Sequence, residues 1–537
     1  MTARPRNDAL ATAGMLSPDA MAAVRWLRRE AHWRSSARVR LDSRQVRPGD
    51  VFVAAPGGKT DGRRFIAEAV QAGAVAVLWD PADGFVWPAD GLNGLATPAG
   101  RPVPNAALMA AHRNSGPIAA ELLGHPSARM AITAFTGTNG KTTCSQWLAQ
   151  LLESDGTPCA VVGTLGAGRF GPLENLSVLG LTTPEAVDLQ SMLVDWTQDG
   201  LAAVSIEASS IGIAVGRLHG TQIKTAVFTN LTRDHLDFHP DLDAYAHAKA
   251  ALFAWPGLAS IVVNCDDTMA DRMLEAAPSH VQRIGYRIDS KRRGVQASAR
   301  VDAWLRVERI ETLDSGGYRI EIDGDWGRGS VNLRAPGRFN ISNALAVAGS
   351  ALANGMGFEQ VLVGLAKLSP VPGRMETLTE RHAPLVVIDY AHTPDALVQV
   401  LGALRPIAKV RGGRLHCVFG AGGDRDAGKR ALMGEAVAQH ADTLMITTDN
   451  PRSEDPAQIV RAILEGVARV PSASGAQVEH DRRRAIQQVI GAAEAADVIL
   501  IAGKGHESAQ EIAGQQLPFR DVDEARLALS QRIDRAA

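Results

Sequence analysis

The sequence predicts an α/β protein of several domains with mostly parallel sheets, and three observations carry that prediction. Apolar runs of strand length alternate with helical patterns along most of the 537 residues. Polar or glycine-rich clusters such as EASS, NLTRDHLD, GGDRD, DNPR and GKGHE directly follow those runs. Open α/β sheets bind ligands at the carboxyl ends of their strands, so these clusters read as parts of a large composite site. The chain is also too long for one core, and about 100–200 residues per domain implies three or four.

The first 20 or so residues lack the apolar core of a secretory signal and read as a disordered lead-in. GDVFVAAPG (49–57) and AVAVLW (74–79) read as strands on either side of a helical RRFIAEAVQAG (63–73). The Pro/Gly-rich stretch 81–105 reads as an exposed insertion leading into a linker, which ends a first domain at residue 103. A second domain, 104–368, takes its strands from MAITAF (130–135), AAVSIEAS (202–209), TAVFTNL (225–231) and ASIVVN (259–264). A third, 369–537, opens near SPVPGRME and has strands at LVVIDYA (385–391), LHCVFGAGG (415–423), TLMITTD (443–449) and DVILIAGKG (497–505).

The formal net charge of −2 gives no electrostatic reason to expect nucleic acid or an acidic membrane as partner. The clusters RRR (482–484) and KRR (291–293) read as solvated faces. Four scattered cysteines without a CxxC pair suit a reducing compartment and argue against disulfides or structural zinc. No apolar run approaches the roughly 20 residues that span a bilayer, so a cytoplasmic protein is expected.

AFTGTNGKTTCS (134–145) reads as a phosphate loop that departs from the standard pattern. Phe135 stands where the pattern's first glycine belongs, and Gly137 comes two places later. The physical requirements are nonetheless met. A strand leads into a glycine-rich turn, and TTCSQWLAQLLES (142–154) follows as a helix with Trp147, Leu148, Leu151 and Leu152 on one face. Such a turn points backbone N–H groups and the helix's positive end at an anion. Lys141 supplies a mobile cation for outer phosphates, and Thr142 a hydroxyl for Mg²⁺.

Glu207 closes an apolar strand, where it could complete a Mg²⁺ shell with Thr142 or simply face water. His235 and His239 have i, i+4 spacing, but there is no HExxH signature and Pro240 argues against a helix through both. Lys249, on an otherwise apolar helix, reads by itself as a solvated residue.

The ordered series TGTNGKTT, EASS, NLTRDHLDFH, YAHAK, GRFNISNALAVAG, GRME, DYAHTPDAL, GGDRDAGKR, DNPR and GKGHE resembles the Mur ligases, ATP-dependent amino-acid ligases of peptidoglycan synthesis. The resemblance runs from LDSRQVRPGD (41–50) to about residue 525, and the diaminopimelate-adding branch of the family is the nearest. The family's phosphate loop also lacks the first glycine. Alternatives are the lysine-adding branch, a folylpolyglutamate synthetase, which lacks the LDSRQVRPGD domain, and a nucleotide-binding regulatory module without ligase activity.

The resemblance implies a domain for the UDP end of the substrate, a central ATPase and a C-terminal Rossmann-like domain for the amino acid. It implies a monomer that joins meso-diaminopimelate to UDP-N-acetylmuramoyl-L-alanyl-D-glutamate through an acyl phosphate. Gly137, Thr138, Asn139, Gly140, Lys141, Thr142 and Thr143 would cradle the ATP phosphates, with Asn343, Arg374 and Asp389 near the nucleotide. Arg374 would face the transferring phosphate. One Mg²⁺ would lie on Thr142 and Glu207, and a second on His235 and Lys249, the lysine carrying a CO₂-derived carbamate. Leu41, Ser43, the turn Gly58-Lys59-Thr60, Thr182, Thr183, Ser209 and Arg217 would hold the UDP-sugar peptide. Leu181 and Val215 depart from the Asn and Gln that relatives often carry. Arg425, Asp449, Asn450, Pro451, Arg452, Gly503 and Glu507 would hold diaminopimelate. Within that set, Arg452 would take the distal carboxylate and Glu507 the distal ammonium.

Overall fold

The structure, a computed structural model, describes residues 16–536 apart from 32, 35, 58–59, 88–101, 237, 289–299, 314–315 and 472–474. The chain forms two compact units. One runs up to Leu305 and includes Leu345–Val361; the other comprises Arg306–Ala344 and the chain from Leu362 onward.

The first unit begins with a helix, Pro18–Glu30. Ser17 caps it by accepting from the Ala20 N–H at 3.0 Å, Pro18 sits in its first turn, and Ala20, Ala23, Val24 and Leu27 are buried at helical spacing. The disordered lead-in is therefore corrected from Pro18 onward; residues 1–15 lie outside the described residues. Strands β1 (Val39–Arg40), β2 (Val51–Ala54), β3 (Ala76–Trp79) and β4 (Asn105–Ala107) form a four-stranded parallel sheet in that order. Residues 88–101 of the expected insertion lie outside the described residues, while β4 is an edge strand of this sheet. The core beneath it also takes in Leu108, Ala111, Ile118, Ala119 and Leu122, so the boundary expected at 103 falls inside the N-terminal layer.

The same unit contains β5 (Ala131–Thr136), β6 (Cys159–Gly163), β7 (Gly166–Arg169), β8 (Ala203–Glu207), β9 (Thr225–Phe228), β10 (Ser260–Asn264) and β11 (Gln282–Arg287). They lie in the order β11-β10-β9-β5-β8-β6-β7, parallel except for β7. Phe135 of β5 pairs in register with Glu207 of β8, which brings the phosphate loop and the Glu207 carboxylate to one sheet edge.

The second unit starts within β12 (Ala303–Thr312) and continues through an antiparallel pair, β13 (Tyr318–Gly324) and β14 (Gly327–Leu333). Its main sheet contains β15 (Glu376–Leu378), β16 (Leu385–Asp389), β17 (Leu415–Phe419), β18 (Thr443–Ile446), β19 (Gln477–Val478) and β20 (Val498–Ala502). The order is β15-β16-β20-β17-β18-β19, parallel except for β15. Both faces are covered, since Leu385 and Val387 enter one apolar cluster and Val386 and Ile388 the other. A hairpin, β21 (Ala509–Ile512) with β22 (Gln515–Pro518), follows β20. No described helix is long and apolar enough to cross a membrane.

Candidate active site

In the first unit the phosphate loop owes its shape to two glycines. Gly137 has φ +154°, and a Cβ there would lie 1.9 Å from the Thr229 Oγ1. Gly140, with φ +88°, leads into the helix Lys141–Ser154. Those two positions make the turn. Phe135 is still within β5, fully buried, with its carbonyl accepting the Ala208 N–H at 2.8 Å. A glycine at 135 would have no turn to make, which is why the standard pattern can be broken here. The loop is strapped to the segment after β9: Thr138 N–H donates to the Asn230 carbonyl and Asn139 N–H to the Asn230 Oδ1, both at 2.9 Å.

Two lysines converge beneath it. Lys141 Nζ donates to the carbonyls of Gly137 and Thr138 at 2.9 Å each, and Lys249 Nζ donates to the same Gly137 carbonyl at 2.8 Å. Lys249 comes from the helix Leu242–Ala250, is 1% exposed and lies 4.4 Å above the Tyr245 ring. The solvated-residue reading of Lys249 is thus overturned. Burial, reinforced by the charge on Lys141, holds its amine well below the usual lysine range.

Glu207 does not face water. It is 1% exposed, accepts the Thr142 hydroxyl at 3.0 Å, and takes the Thr164 N–H at 2.8 Å and hydroxyl at 3.2 Å. The carboxylate lies against Gly163, where a Cβ would come 2.1 Å from Oε1. Thr183 ties the next stretch to it, donating to the Glu207 carbonyl at 2.8 Å and accepting the Ser209 N–H at 3.0 Å. Ser209 caps the helix Ser210–Ala214, and Arg217 Nε donates to Glu185 at 3.0 Å. Thr182 and Thr164 bring their hydroxyls to 3.4 Å. Sequence reasoning missed Thr164 and Glu185. Thr164 directly follows β6, so its strand-end position was the available signal.

The histidines are less closely joined. His235 is a half-buried, left-handed residue (φ +52°) whose ring centroid stands 6.1 Å from that of Tyr245. His239 is buried and bonded to the Ser210 hydroxyl at 3.0 Å. Among the described residues no group of three His, Cys, Asp or Glu side chains could hold a metal ion. An Mg²⁺ here would rest on the Glu207 carboxylate and Thr142 hydroxyl together with substrate phosphates, which suits that ion. Ser43 is buried in a turn capped by Asp42, directly after Leu41; the Thr60 carbonyl accepts the Gly57 N–H at 3.0 Å, and Gly58 and Lys59 lie outside the described residues.

In the second unit the loops after β16, β17, β18 and β20 gather at one sheet edge. Asp389 is buried and accepts the N–H groups of Met375 and Ala391 at 2.8 Å each. Burial raises its carboxyl, against the lowering effect of Arg374. The Arg374 guanidinium lies 4.8 Å above the Tyr390 ring, which is 5.4 Å from the His506 ring. Arg374 Nε and His506 Nδ1 are buried without a hydrogen-bond partner. Asn343 Nδ2 donates to Asn340 at 3.0 Å.

DNPR (449–452) is bound to the β21–β22 hairpin. Arg452 N–H donates to the Glu511 carbonyl at 3.1 Å, its Nε to the Glu511 carboxylate at 3.2 Å, and its Nη1 to the Gly423 carbonyl at 2.7 Å. Asn450 Nδ2 donates to Glu507 at 2.7 Å, and Lys504, which sequence reasoning also passed over, joins the pair. Asp449 lies buried against Gly503, whose positive φ (+114°) and missing Cβ admit its carboxylate. Arg425 stands exposed on the loop after β17.

Three family descriptions match the chain in succession: "Mur ligase family, catalytic domain" over residues 37–129, "Mur ligase middle domain" over 135–351, and "Mur ligase, glutamate ligase domain" over 373–505. A relative from Janthinobacterium sp. (strain Marseille), named UDP-N-acetylmuramoyl-L-alanyl-D-glutamate–2,6-diaminopimelate ligase, is 44% identical over 97% of this chain and 99% of its own length. One of the same name from Ralstonia nicotianae is 43% identical over 99% of both chains. A solved structure titled with that ligase name is 34% identical, with a TM-score of 0.65 over 92% of this chain and 95% of that one. A MurF ligase from Thermotoga maritima in complex with ADP, 16% identical at a TM-score of 0.56, shares the fold. On this likeness over nearly its whole length, the chain belongs to the Mur ligase family.

Proposed function

We propose that this chain uses ATP to join meso-diaminopimelate to UDP-N-acetylmuramoyl-L-alanyl-D-glutamate in the cytoplasm. The D-glutamyl carboxylate attacks the γ-phosphate, giving an acyl phosphate and ADP, and the diaminopimelate amine then attacks that carbonyl and expels phosphate. The first step brings two anions together, so catalysis lies mostly in alignment and charge neutralisation. Lys141 and the loop N–H groups hold the outer phosphates, and Arg374 steadies the transferring group. Thr142 and Glu207 would hold Mg²⁺, which when bound neutralises phosphate charge. The low proton affinity of Lys249 supports carbamylation, since only a neutral amine adds CO₂, and the carbamate, with His235, would hold a second Mg²⁺ that would neutralise further phosphate charge.

The choice of amino acid is supported by Glu507, bonded to Asn450, and Arg452, bonded to Glu511, both on loops at the carboxyl edge of the second unit's sheet. Diaminopimelate differs from lysine by a carboxylate on the carbon bearing the distal amine. An arginine fork and a carboxylate suit that zwitterionic end, with Asp449, Pro451 and Gly503 shaping the pocket and Arg425 meeting the carboxylate nearer the reacting amine. A site built around a polar group can reject the analogue lacking it by ~10⁴-fold. The test is ligation by wild type and Arg452→Ala, each offered diaminopimelate and lysine. The variant should lose diaminopimelate use by far more than any change towards lysine, and a wild type that ligates both equally well would overturn the assignment.

A further inference from the structure

Lys504 lies in the GKGHE loop, and its side chain is fully buried. Its Nζ donates to Asn450 Oδ1 at 3.0 Å, Glu507 Oε2 at 2.9 Å and the Ala509 carbonyl at 2.8 Å, which accounts for all three N–H donors of an ammonium. An ammonium cannot accept, so Asn450 must turn its carbonyl oxygen to Lys504. The Glu511 N–H donates to that same oxygen at 3.0 Å. The amide's nitrogen is then left facing Glu507 Oε2 at 2.7 Å. Glu507 Oε2 thus accepts from two donors, while Oε1 accepts from no described residue and the side chain is 31% exposed.

We propose that Lys504 is a positioning residue for the incoming amino acid, locking Asn450 and Glu507 so that Glu507 Oε1 meets the substrate's distal ammonium. The inference rests on the function proposed above and adds a residue that acts through Glu507. Charge works in the same direction as geometry. The groups facing Glu507 are Lys504 and His506 on its own loop, Asp449 and Asn450 after β18, Tyr390 after β16, and Arg482 on the helix Arg482–Ala492. Burial pushes the Glu507 carboxyl up, but the Lys504 hydrogen bond and charge, joined by the Asn450 hydrogen bond and the His506 charge, hold the group below its usual range. Glu507 is therefore already ionised when a cationic substrate arrives.

The test uses Lys504→Met and Lys504→Gln in the full chain, with KM measured separately for ATP, the UDP-dipeptide and diaminopimelate. The KM for diaminopimelate should rise about 10- to 100-fold, the loss of a charge-assisted hydrogen bond, while the other two change less than about 2-fold. The acid limb of diaminopimelate binding should move to higher pH, a change that a purely structural role would not produce. In a Glu507→Gln background, Lys504→Met should add little. Equal changes in all three KM values, or fully additive effects in the double variant, would overturn the proposal. If neither variant folds, wild type decides. Its Kd for diaminopimelate, by calorimetry with the UDP-dipeptide and a non-hydrolysable ATP analogue present, should stay flat from about pH 8 down to about pH 4, below where an ordinary Glu protonates; a weakening that follows the ordinary Glu value of ~4.3 refutes the inference. Wild type that fails to ligate diaminopimelate at all overturns the proposed function and this inference with it. Normal wild-type turnover with an unchanged Lys504→Met overturns this inference alone.

Discussion

Replacing Gly163 by alanine tests whether the Glu207 carboxylate must stay where it is. Gly163 ends β6 opposite Gly166 of β7, and its φ is outside the left-handed region. The backbone therefore accepts alanine, and on chain entropy alone the change would stabilise by about 0.4–1 kcal/mol. The new Cβ, however, would lie 2.1 Å from Glu207 Oε1, 2.6 Å from Cδ and 2.7 Å from Cγ, where ordinary contact begins at 3.4 Å. The carboxylate must retreat by roughly 1 Å, which stretches its 2.8 Å bond from Thr164 N–H and its 3.0 Å bond from the Thr142 hydroxyl. Misplacing a catalytic group by about 1 Å costs ~10²-fold in rate, and overpacking a filled site costs about 1–3 kcal/mol. Gly163→Ala should therefore lose ~10²-fold in kcat and need more Mg²⁺ for half-maximal rate, yet melt as a folded protein. ADP release across a Mg²⁺ titration measures both. Gly171→Ala, where a Cβ meets nothing within 4 Å, is the control and should behave as wild type. A Gly163→Ala enzyme with wild-type kcat and Mg²⁺ dependence would refute the reasoning.

Lys249→Ala should lose most ligase activity while still folding and binding ATP, and an added small carboxylate, unlike bicarbonate, should restore part of it; full activity in the variant sinks the carbamate reading. Phe135→Gly should not speed turnover and should destabilise by roughly 3 kcal/mol or more, because the ring is fully buried; a thermal melt beside a rate measurement checks both halves. His506 is pushed down to about 4, mainly by burial and then by Arg374. Between that value and the unfolded value of 6.5 the unfolded chain binds the extra proton, so this residue's contribution to stability falls as pH drops through the window. Relative to His506→Gln, wild type should lose up to about 2 kcal/mol between pH 7 and about pH 5 in denaturant titrations, and parallel curves would contradict this.

Ten of the parallel strands were legible because they are short, largely apolar runs stopped by glycine or charge, whereas β1, β4, β6, β11 and β19 were passed over. Leu385–Asp389 and Val498–Ala502 are buried along their length, as such runs require. The antiparallel pair at 318–333 was passed over although Tyr318, Ile320 and Ile322 alternate with more exposed residues; that period-2 signal is weak beside the apolar runs. The helix Pro18–Glu30 was hidden by its charge, with Arg25, Arg28, Arg29 and Glu30 masking four buried positions. At the site, the glycine turn and its lysine could be read because their chemistry is local. Lys249 could not, since the carbonyl its ammonium bonds in the core belongs to Gly137, 112 positions away. Lys504 escaped for the same reason, since its partner Asn450 is 54 positions distant.

The hairpin of β21 and β22 puts a constraint on redesign. Arg452 forms a bridge to Ile512, its carbonyl accepts the Ala513 N–H at 2.8 Å, and Gln510 Nε2 reaches the Asp449 carbonyl at 2.7 Å. DNPR thus takes its place by strand-like docking onto a segment about 60 residues downstream. Strand pairing has a period of two, so a one-residue insertion ahead of Glu511 would turn its side chain from one face to the other. Retargeting this enzyme to another amino acid by exchanging 449–452 alone would graft a reading head onto a mismatched track. The transferable unit is the loop together with 504–518, moved in register, and a tag belongs at Gly514, where a Cβ would meet nothing within 4 Å, not at Ala513, which bonds Arg452.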